Sequence, residues 1–235
     1  MRREPLQEDI PALLKRQQTT FMGIEFEVGK GALVPRRDTE LLCRTVLNRL
    51  GDDSEDGSES LRAVVIDVCC GVGNLACAIA VHLPGTTLFA CDLLESATEL
   101  AQQNVVRHGL ENRVTVLTGD LFQPLAGRGL EGKVTGIVCN PPYISSARLE
   151  KEAHGILAHE PREAFDAGPY GLAIHQRVCR ESTTWLTRNG WLAFEFGAGQ
   201  GRQVQMVFDR TRRFGPVELI EIGPDTPGVA IAALK

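Results

Sequence analysis

Four residues, Asn140-Pro141-Pro142-Tyr143, follow directly on the apolar run Ile137-Val138-Cys139. Two successive prolines remove backbone donors and fix φ, so a strand must stop here and the turn is stiff. Asn140 brings a side-chain carbonyl, and Pro141 brings a backbone carbonyl with no N–H beside it. Two acceptors on a rigid turn, with an aromatic ring at Tyr143, suit a planar –NH2 group held flat and aimed. The nitrogen of an amide or aromatic amine is a poor nucleophile because its lone pair is delocalised. Accepting its two N–H bonds at Asn140 Oδ1 and the Pro141 carbonyl localises that pair, Tyr143 can stack on the planar acceptor, and orientation then supplies much of the acceleration. Asn-Pro turns also initiate ordinary loops. It is the position after a buried strand, where open α/β sheets place ligands, that makes this one a candidate catalytic turn.

A second set of residues suits the partner of such a nitrogen. In Asp67-Val68-Cys69-Cys70-Gly71-Val72-Gly73, the glycines let backbone approach a ligand closely, and the helix that follows adds unpaired N–H groups. About twenty residues on comes Asp92, followed by Leu93, where a carboxylate can take both hydroxyls of a ribose. Gly119-Asp120-Leu121 closes the next strand, where a carboxylate can accept from an adenine amino group. Gly71-x-Gly73-x-x-Ala76 also fits the loose dinucleotide fingerprint, a weak signal by itself. Asp67, four residues before Gly71, would repel a pyrophosphate and attract a sulfonium or ammonium. The candidate cofactor set is therefore Asp67, Cys69, Gly71, Gly73, Asp92, Leu93, Asp120, Leu121 and Asn140, and the ligand an adenosyl sulfonium. No Cys/His cluster has the spacing of metal ligands, so no metal is expected. His154 and His159 could accept a proton, although loop histidines are more often simply exposed.

These residues need a scaffold that brings strand tips together. From residue 63 the pattern alternates strand and helix, which implies a doubly wound parallel sheet with right-handed crossovers. Strands are expected over 63–68, 86–91, 114–117, 134–139 and 191–196. Helices are expected over 76–83, 95–108, 172–186 and 200–214, and a long loop over 144–168. Val217–Ile222 and Val229–Leu234, joined by a short turn, must pair antiparallel. Before this domain, apolar spacing predicts one helix within 6–21, or two short ones broken near Pro11, and a hairpin of 24–28 with 32–34 turning at Gly29-Lys30-Gly31. Asp38 or Thr39 can cap a helix through Leu50. The expected organisation is an N-terminal helix-and-hairpin lid segment (1–50), an acidic linker (51–60) and a catalytic domain (61–235).

Of 235 residues, 43% are hydrophobic and 23% charged, ordinary for a soluble globular chain. The net charge of −5 argues against a duplex nucleic-acid partner. Seven cysteines without a regular framework read as buried small hydrophobes in a reducing compartment. With neither a membrane span nor a signal peptide in view, the expectation is a cytoplasmic protein.

Taken together, Asp67…Gly71-x-Gly73, Asp92, Gly119-Asp120 and Asn140-Pro141-Pro142-Tyr143 resemble the class I S-adenosylmethionine-dependent methyltransferases. The closer resemblance is to the release-factor glutamine methyltransferases. It extends to Phe21-Met22-Gly23, to Leu33-Val34-Pro35-Arg36-Arg37-Asp38-Thr39-Glu40, to Glu160-Pro161-Arg162-Glu163-Ala164-Phe165-Asp166-Ala167-Gly168, and to Asp225-Thr226-Pro227-Gly228. The resemblance implies a seven-stranded, mostly parallel sheet with a reversed last strand, and S-adenosyl-L-methionine held by Gly71, Gly73, Asp92 and Asp120. It implies an acceptor site shaped by Asn140 and Tyr143, with Phe21, Arg36, Glu160 and Arg162 as substrate or lid residues. Two departures stand out. The family usually has Gly where Cys69 stands, beside the methionyl end of the cofactor. It also usually has a helical N-terminal domain that seats the protein substrate, where here about twenty residues precede the hairpin.

The implied reaction is N-methylation of an amide or amine, the acceptor being a protein glutamine or a small metabolite. Two alternatives stay open: a cyclase forming azetidine-2-carboxylate and methylthioadenosine from the cofactor alone, and a non-catalytic binding module. A nucleic-acid amino-methylating enzyme would need a recognition domain or basic face that the sequence does not display.

Overall fold

A computed structural model describes residues 9–52 and 63–235. The expected linker lies almost wholly outside the described residues.

The chain opens with α1 (Ile10–Arg16), capped by Asp9, whose side chain accepts from the Ala12 N–H. The helix ends at Gln17 in the left-handed conformation (φ 56°). Residues 6–8 of the expected helical stretch lie outside the described residues; the stretch stops before 21 because Thr19 and Thr20 favour an extended chain. β1 (Gln18–Phe21) pairs antiparallel with β2 (Ile24–Glu27). The hairpin therefore forms with the preceding segment, not with 32–34 as expected. Its two-residue turn is Met22-Gly23, with φ of 51° and 77°, the both-positive geometry that matches strand twist. Residues 28–36 instead run as an irregular strap. A satellite apolar cluster of Val28, Ala32, Val34, Val72 and Ala97 pins that strap to the main domain. The buried Asn104 side chain also holds the hairpin, accepting from Glu27 N–H and donating to the carbonyls of Glu27 and Val72.

After α2 (Thr39–Asp52) come β3 (Val64–Val68), α3 (Asn74–His82), β4 (Thr87–Asp92), α4 (Glu95–Arg107), β5 (Val114–Thr118) and β6 (Val134–Cys139). The stretch expected to be a loop over 144–168 contains α5 (Ser146–Ile156), whose polar composition hid its helical period. Then follow α6 (Ala173–Glu181), β7 (Leu186–Phe196), α7 (Gly201–Thr211), β8 (Glu218–Ile220) and β9 (Gly228–Ala233). The main sheet has seven strands in the order β5-β4-β3-β6-β7-β9-β8. Pairs from β5 across to β7 are parallel, and β9 runs antiparallel to both β7 and β8. The expected doubly wound sheet with a reversed last strand is what the chain forms.

The central strands are buried on both faces, so they read as near-continuous apolar runs. One core forms where α2, α3 and α4 cover the sheet, the other under α6 and α7. The chain winds outward from β3 through β4 to β5, then returns to β6 on the other side of β3. That reversal leaves a crevice at the carboxyl ends of β3 and β6, the usual ligand position in such sheets. Cys69 and Asn140 are the residues that follow those two strands.

Candidate active site

The crevice opens into a cleft of about 700 Å³, counted out to its mouth. Cys69, Gly71, Asp92, Leu93, Asp120, Leu121 and Asn140 all line it, from the tips of β3, β4, β5 and β6. Ala32 and Leu33 of the strap and Pro161, Glu163 and Ala164 of the segment after α5 form its walls.

Hydrogen bonds fix each polar group. Asp92 Oδ2 accepts from the Gly71 N–H (2.9 Å) and Oδ1 from the Leu94 N–H (3.0 Å). One carboxylate thus sets the turn after β3 and the entry to α4, and its remaining lone pairs edge the cleft. Burial raises its pKa, against the pull of those N–H donors. Gly71 has φ +55°, and a Cβ there would meet nothing nearer than the Leu33 carbonyl at 4.0 Å. The space it would enter belongs to the cleft. Cys69 shares the left-handed region, with φ 60°, a conformation that favours glycine. Asp120 receives both Nη1 and Nη2 of Arg177, at 3.0 and 2.9 Å. This fork holds the carboxylate at the cleft edge.

Asn140 Nδ2 donates to Thr39 Oγ1 at 3.0 Å, across 101 residues. That leaves Oδ1 as the amide's free acceptor. The turn is braced from behind. Gln200 Nε2 donates to the Tyr143 carbonyl (3.0 Å) while Gln200 Oε1 accepts from the Gly197 N–H (2.9 Å). Gly171 packs so closely there that a Cβ would lie 2.7 Å from the Tyr143 carbonyl oxygen.

Other candidate residues lie elsewhere. Asp67 is fully buried beneath the turn, where Oδ2 accepts from the Ala76 N–H (3.0 Å) and Oδ1 has no partner. Burial pushes its pKa up to about 8, so it is not a free anion facing a ligand at neutral pH. Gly73 caps α3 and packs against Ala101. Pro141 is buried in the turn between Asn140 and Pro142, both of which line the cleft. Tyr143 lies against Gly197 and near Glu195, and it is not among the residues that line the cleft. Phe21 is 1% exposed and stacks edge-on with Phe26 in the core. Arg36 and Glu160 meet each other above the cleft walls, Nη2 to Oε2 at 2.6 Å. Arg162 pairs with Asp166 at the surface, whose carboxyl is held low chiefly by the Ser146 hydroxyl. His159 is half-buried outside the cleft lining. All seven cysteines are free, and six of them are buried.

Comparison with known proteins supports this architecture. The methyltransferase small domain family matches residues 54–168. The release factor glutamine methyltransferase of Geobacter sulfurreducens is 36% identical over 210 residues, which is 89% of this chain and 66% of the relative. That of Moorella thermoacetica is 36% identical over 208 residues, 88% of this chain and 68% of the relative. The chain belongs to the release factor glutamine methyltransferase family. The ribosomal protein uL3 glutamine methyltransferase of Bradyrhizobium diazoefficiens is also 36% identical, over 197 residues, 81% of this chain and 58% of the relative. The chain thus spans about two thirds or less of these glutamine methyltransferases. Among solved structures, the N-terminal domain of human METTL16 in complex with SAH overlays with a TM-score of 0.65. It is 17% identical, covering 94% of this chain and 78% of that one, a likeness of fold.

As a release factor glutamine methyltransferase family member the chain is an S-adenosylmethionine-dependent transferase, and its cleft fits that cofactor. The close approach that Gly71 permits, the carboxylates of Asp92 and Asp120 at two strand tips and the exposed apolar Leu93 suit a ligand with hydroxyls, an amine and a flat ring. Sequence reasoning missed Thr39, which holds the Asn140 amide, and Arg177, which holds Asp120.

Proposed function

We propose that this protein methylates the side-chain amide nitrogen of a glutamine in a protein acceptor. The observation that carries the reading is Asn140: it lines the same cleft as Asp92 and Gly71, and its NH2 is occupied by Thr39, so Oδ1 is free to accept. In this reading Asp92 takes the ribose hydroxyls, Asp120 the adenine amine, and Leu93 and Leu121 flank the base. When bound, S-adenosylmethionine would supply an electrophilic methyl: the sulfur–methyl bond would break as the nitrogen–methyl bond forms, S-adenosylhomocysteine would be left, and the nitrogen would release one of its two hydrogens as a proton.

The chain's own residues do the rest. Asn140 Oδ1 and the Pro141 carbonyl accept the two hydrogens of the acceptor's –NH2. Holding both N–H bonds in the plane of those acceptors turns the nitrogen lone pair out of conjugation and towards the methyl. Gln200 and the Gly171 contact keep the turn from yielding, which matters because small misplacements of a near-attack geometry are costly. The strap and the segment around Pro161 and Ala164 wall the reacting atoms from water. The named relatives act on release factors and ribosomal protein uL3; both support a peptide glutamine over a free metabolite, and the similarity gives the cyclase alternative no support.

Incubation with tritiated S-adenosylmethionine and purified release factor, uL3 or free glutamine tests the reading. Label incorporated into a protein glutamine is the expected result. Methylthioadenosine formed without acceptor, or methylation of free glutamine alone, would overturn it.

A further inference from the structure

One acid of the cleft is unused by this scheme. Among the described residues that line the cleft, Asp92, Asp120 and Glu163 are acids and none is basic. Asp92 already takes the Gly71 and Leu94 N–H groups, and Asp120 takes the Arg177 fork. Glu163 is exposed, and among the described residues it has neither a hydrogen bond nor an ion pair. Two nearby cations are committed elsewhere: Arg162 to Asp166 through Nε at 2.9 Å and Nη2 at 2.8 Å, and Arg36 to Glu160. An exposed glutamate in a short helical turn, here Arg162–Ala164, is by itself an ordinary surface residue. Its place in the cleft is what gives this one a use.

Backbone and side-chain bonds fix that place. Before it in the chain, Glu160 accepts from the Val34 N–H at 2.8 Å, which fastens the segment to the strap. After it, the Phe165 carbonyl accepts from the Ile144 N–H at 3.0 Å, and the Ala167 N–H donates back to the Ile144 carbonyl at 2.9 Å. Ile144 follows directly on Tyr143 of the catalytic turn. Glu163 is thereby held on the wall between the strap and that turn. The strap in turn lies by the Gly71 turn after β3, where a Cβ on Gly71 would meet the Leu33 carbonyl at 4.0 Å. Asp120 and Leu121 follow β5, on the far side of β4 from β3. With the adenine there and the ribose at Asp92, the sulfonium must lie towards Asn140 for its methyl to be reached. The amino-acid tail then continues to the wall that carries Glu163. Asp67 is no substitute, being fully buried beneath the Gly71 turn with Oδ2 taken by the Ala76 N–H.

We propose, resting on the cofactor orientation above, that Glu163 is a cofactor-binding residue whose carboxylate takes the α-ammonium of the methionyl tail. An ammonium offers three donors and a carboxylate only accepts, so the pair is charge-assisted. Glu163 is exposed, so solvent and salt screen the pair and its strength is modest. Its use is orientation: with the ribose held at Asp92 and the tail at Glu163, the sulfur between them is fixed with respect to Asn140.

The test is calorimetric and needs no methyl acceptor. Wild type, Glu163→Gln, Glu163→Lys and Asp92→Asn are each titrated with S-adenosylhomocysteine and with its deaminated analogue, in which hydrogen replaces the α-ammonium. Neither ligand carries a sulfonium, so a difference between them reports the ammonium alone. Glu163→Gln should weaken S-adenosylhomocysteine about fivefold, the upper end for a solvent-exposed charge pair. Glu163→Lys, which sets like charges together, should weaken it further. Glu163→Gln should bind the deaminated analogue within about twofold of wild type. Both Glu163 variants should keep the wild-type urea midpoint, since the side chain is exposed and unpaired. S-adenosylhomocysteine affinity unchanged in both, or an equal loss for both ligands in Glu163→Gln, would overturn the proposal. Asp92→Asn should weaken both ligands alike, through the ribose they share. If it spares them, the cofactor orientation is wrong and the role given to Glu163 falls with it.

Discussion

Glu160 holds two parts of the strap at once: its Oε2 takes Arg36 Nη2 at 2.6 Å, and its Oε1 takes the Val34 N–H at 2.8 Å. Arg36 in turn donates to the Val34 carbonyl at 3.0 Å. A carboxylate with 3% side-chain exposure thus fastens residues 34–36 to the segment after α5, and both segments wall the cleft.

Removing that clasp should loosen the cleft before it unfolds the domain. Glu160→Ala should cost about 2 kcal/mol in urea denaturation, below the fully buried figure because Arg36 keeps contact with solvent. S-adenosylhomocysteine affinity by calorimetry should weaken about tenfold. Glu160→Gln, which can still accept from Val34, should fall between. Unchanged affinity in Glu160→Ala would show that the clasp does not shape the site.

Phe21 separates core from lid. It packs on Phe26 behind the hairpin and does not line the cleft. Phe21→Ala should therefore lose about 3–5 kcal/mol of stability, as large aromatic truncations in cores do. The kcat of the fraction that remains folded should stay within a few-fold of wild type. A large kcat loss without a fall in melting temperature would instead mark Phe21 as a substrate contact.

Buried Asp67 makes stability fall as pH rises. Its folded pKa of about 8 lies above the ordinary carboxylate value of 3.8. Between those values the folded state holds the proton and the unfolded state does not, so stability declines with pH across that window. Glu195, raised to about 7, acts in the same direction. His175, lowered to about 4, acts oppositely between about 4 and its ordinary 6.5. The clearest window is therefore pH 6.5 to 8. Urea midpoints of cofactor-free protein should drop across it, and Asp67→Asn should flatten the drop. A midpoint that rises over the same range in wild type would contradict the assignment.

How much of this was legible in the sequence depended on how far apart the partners lie. That Asn140, Gly71, Asp92 and Asp120 share one cleft could be read because each sits at a strand tip, where local pattern and chemistry coincide. The parallel sheet followed from strand–helix alternation, and the antiparallel last pair from the closing turn. The hairpin was misplaced because Gly29-Lys30-Gly31 looked like a turn, whereas Met22-Gly23 adopts one. Helix α5 was hidden by its polar residues. Thr39, Arg177 and Gln200 could not be found, since each acts on a residue 57 or 101 positions away. No local pattern records a contact of that range. The Arg36–Glu160 pair was read as two lid residues, and only the fold shows that they hold each other.

The most direct test of the account is single-turnover methyl transfer by Asn140→Ala at saturating S-adenosylmethionine, with cofactor affinity measured alongside. The account predicts a rate about 10²–10³-fold below wild type, the scale of one lost preorganised group, with cofactor affinity within about threefold. A variant that transfers methyl to glutamine at the wild-type rate would contradict it.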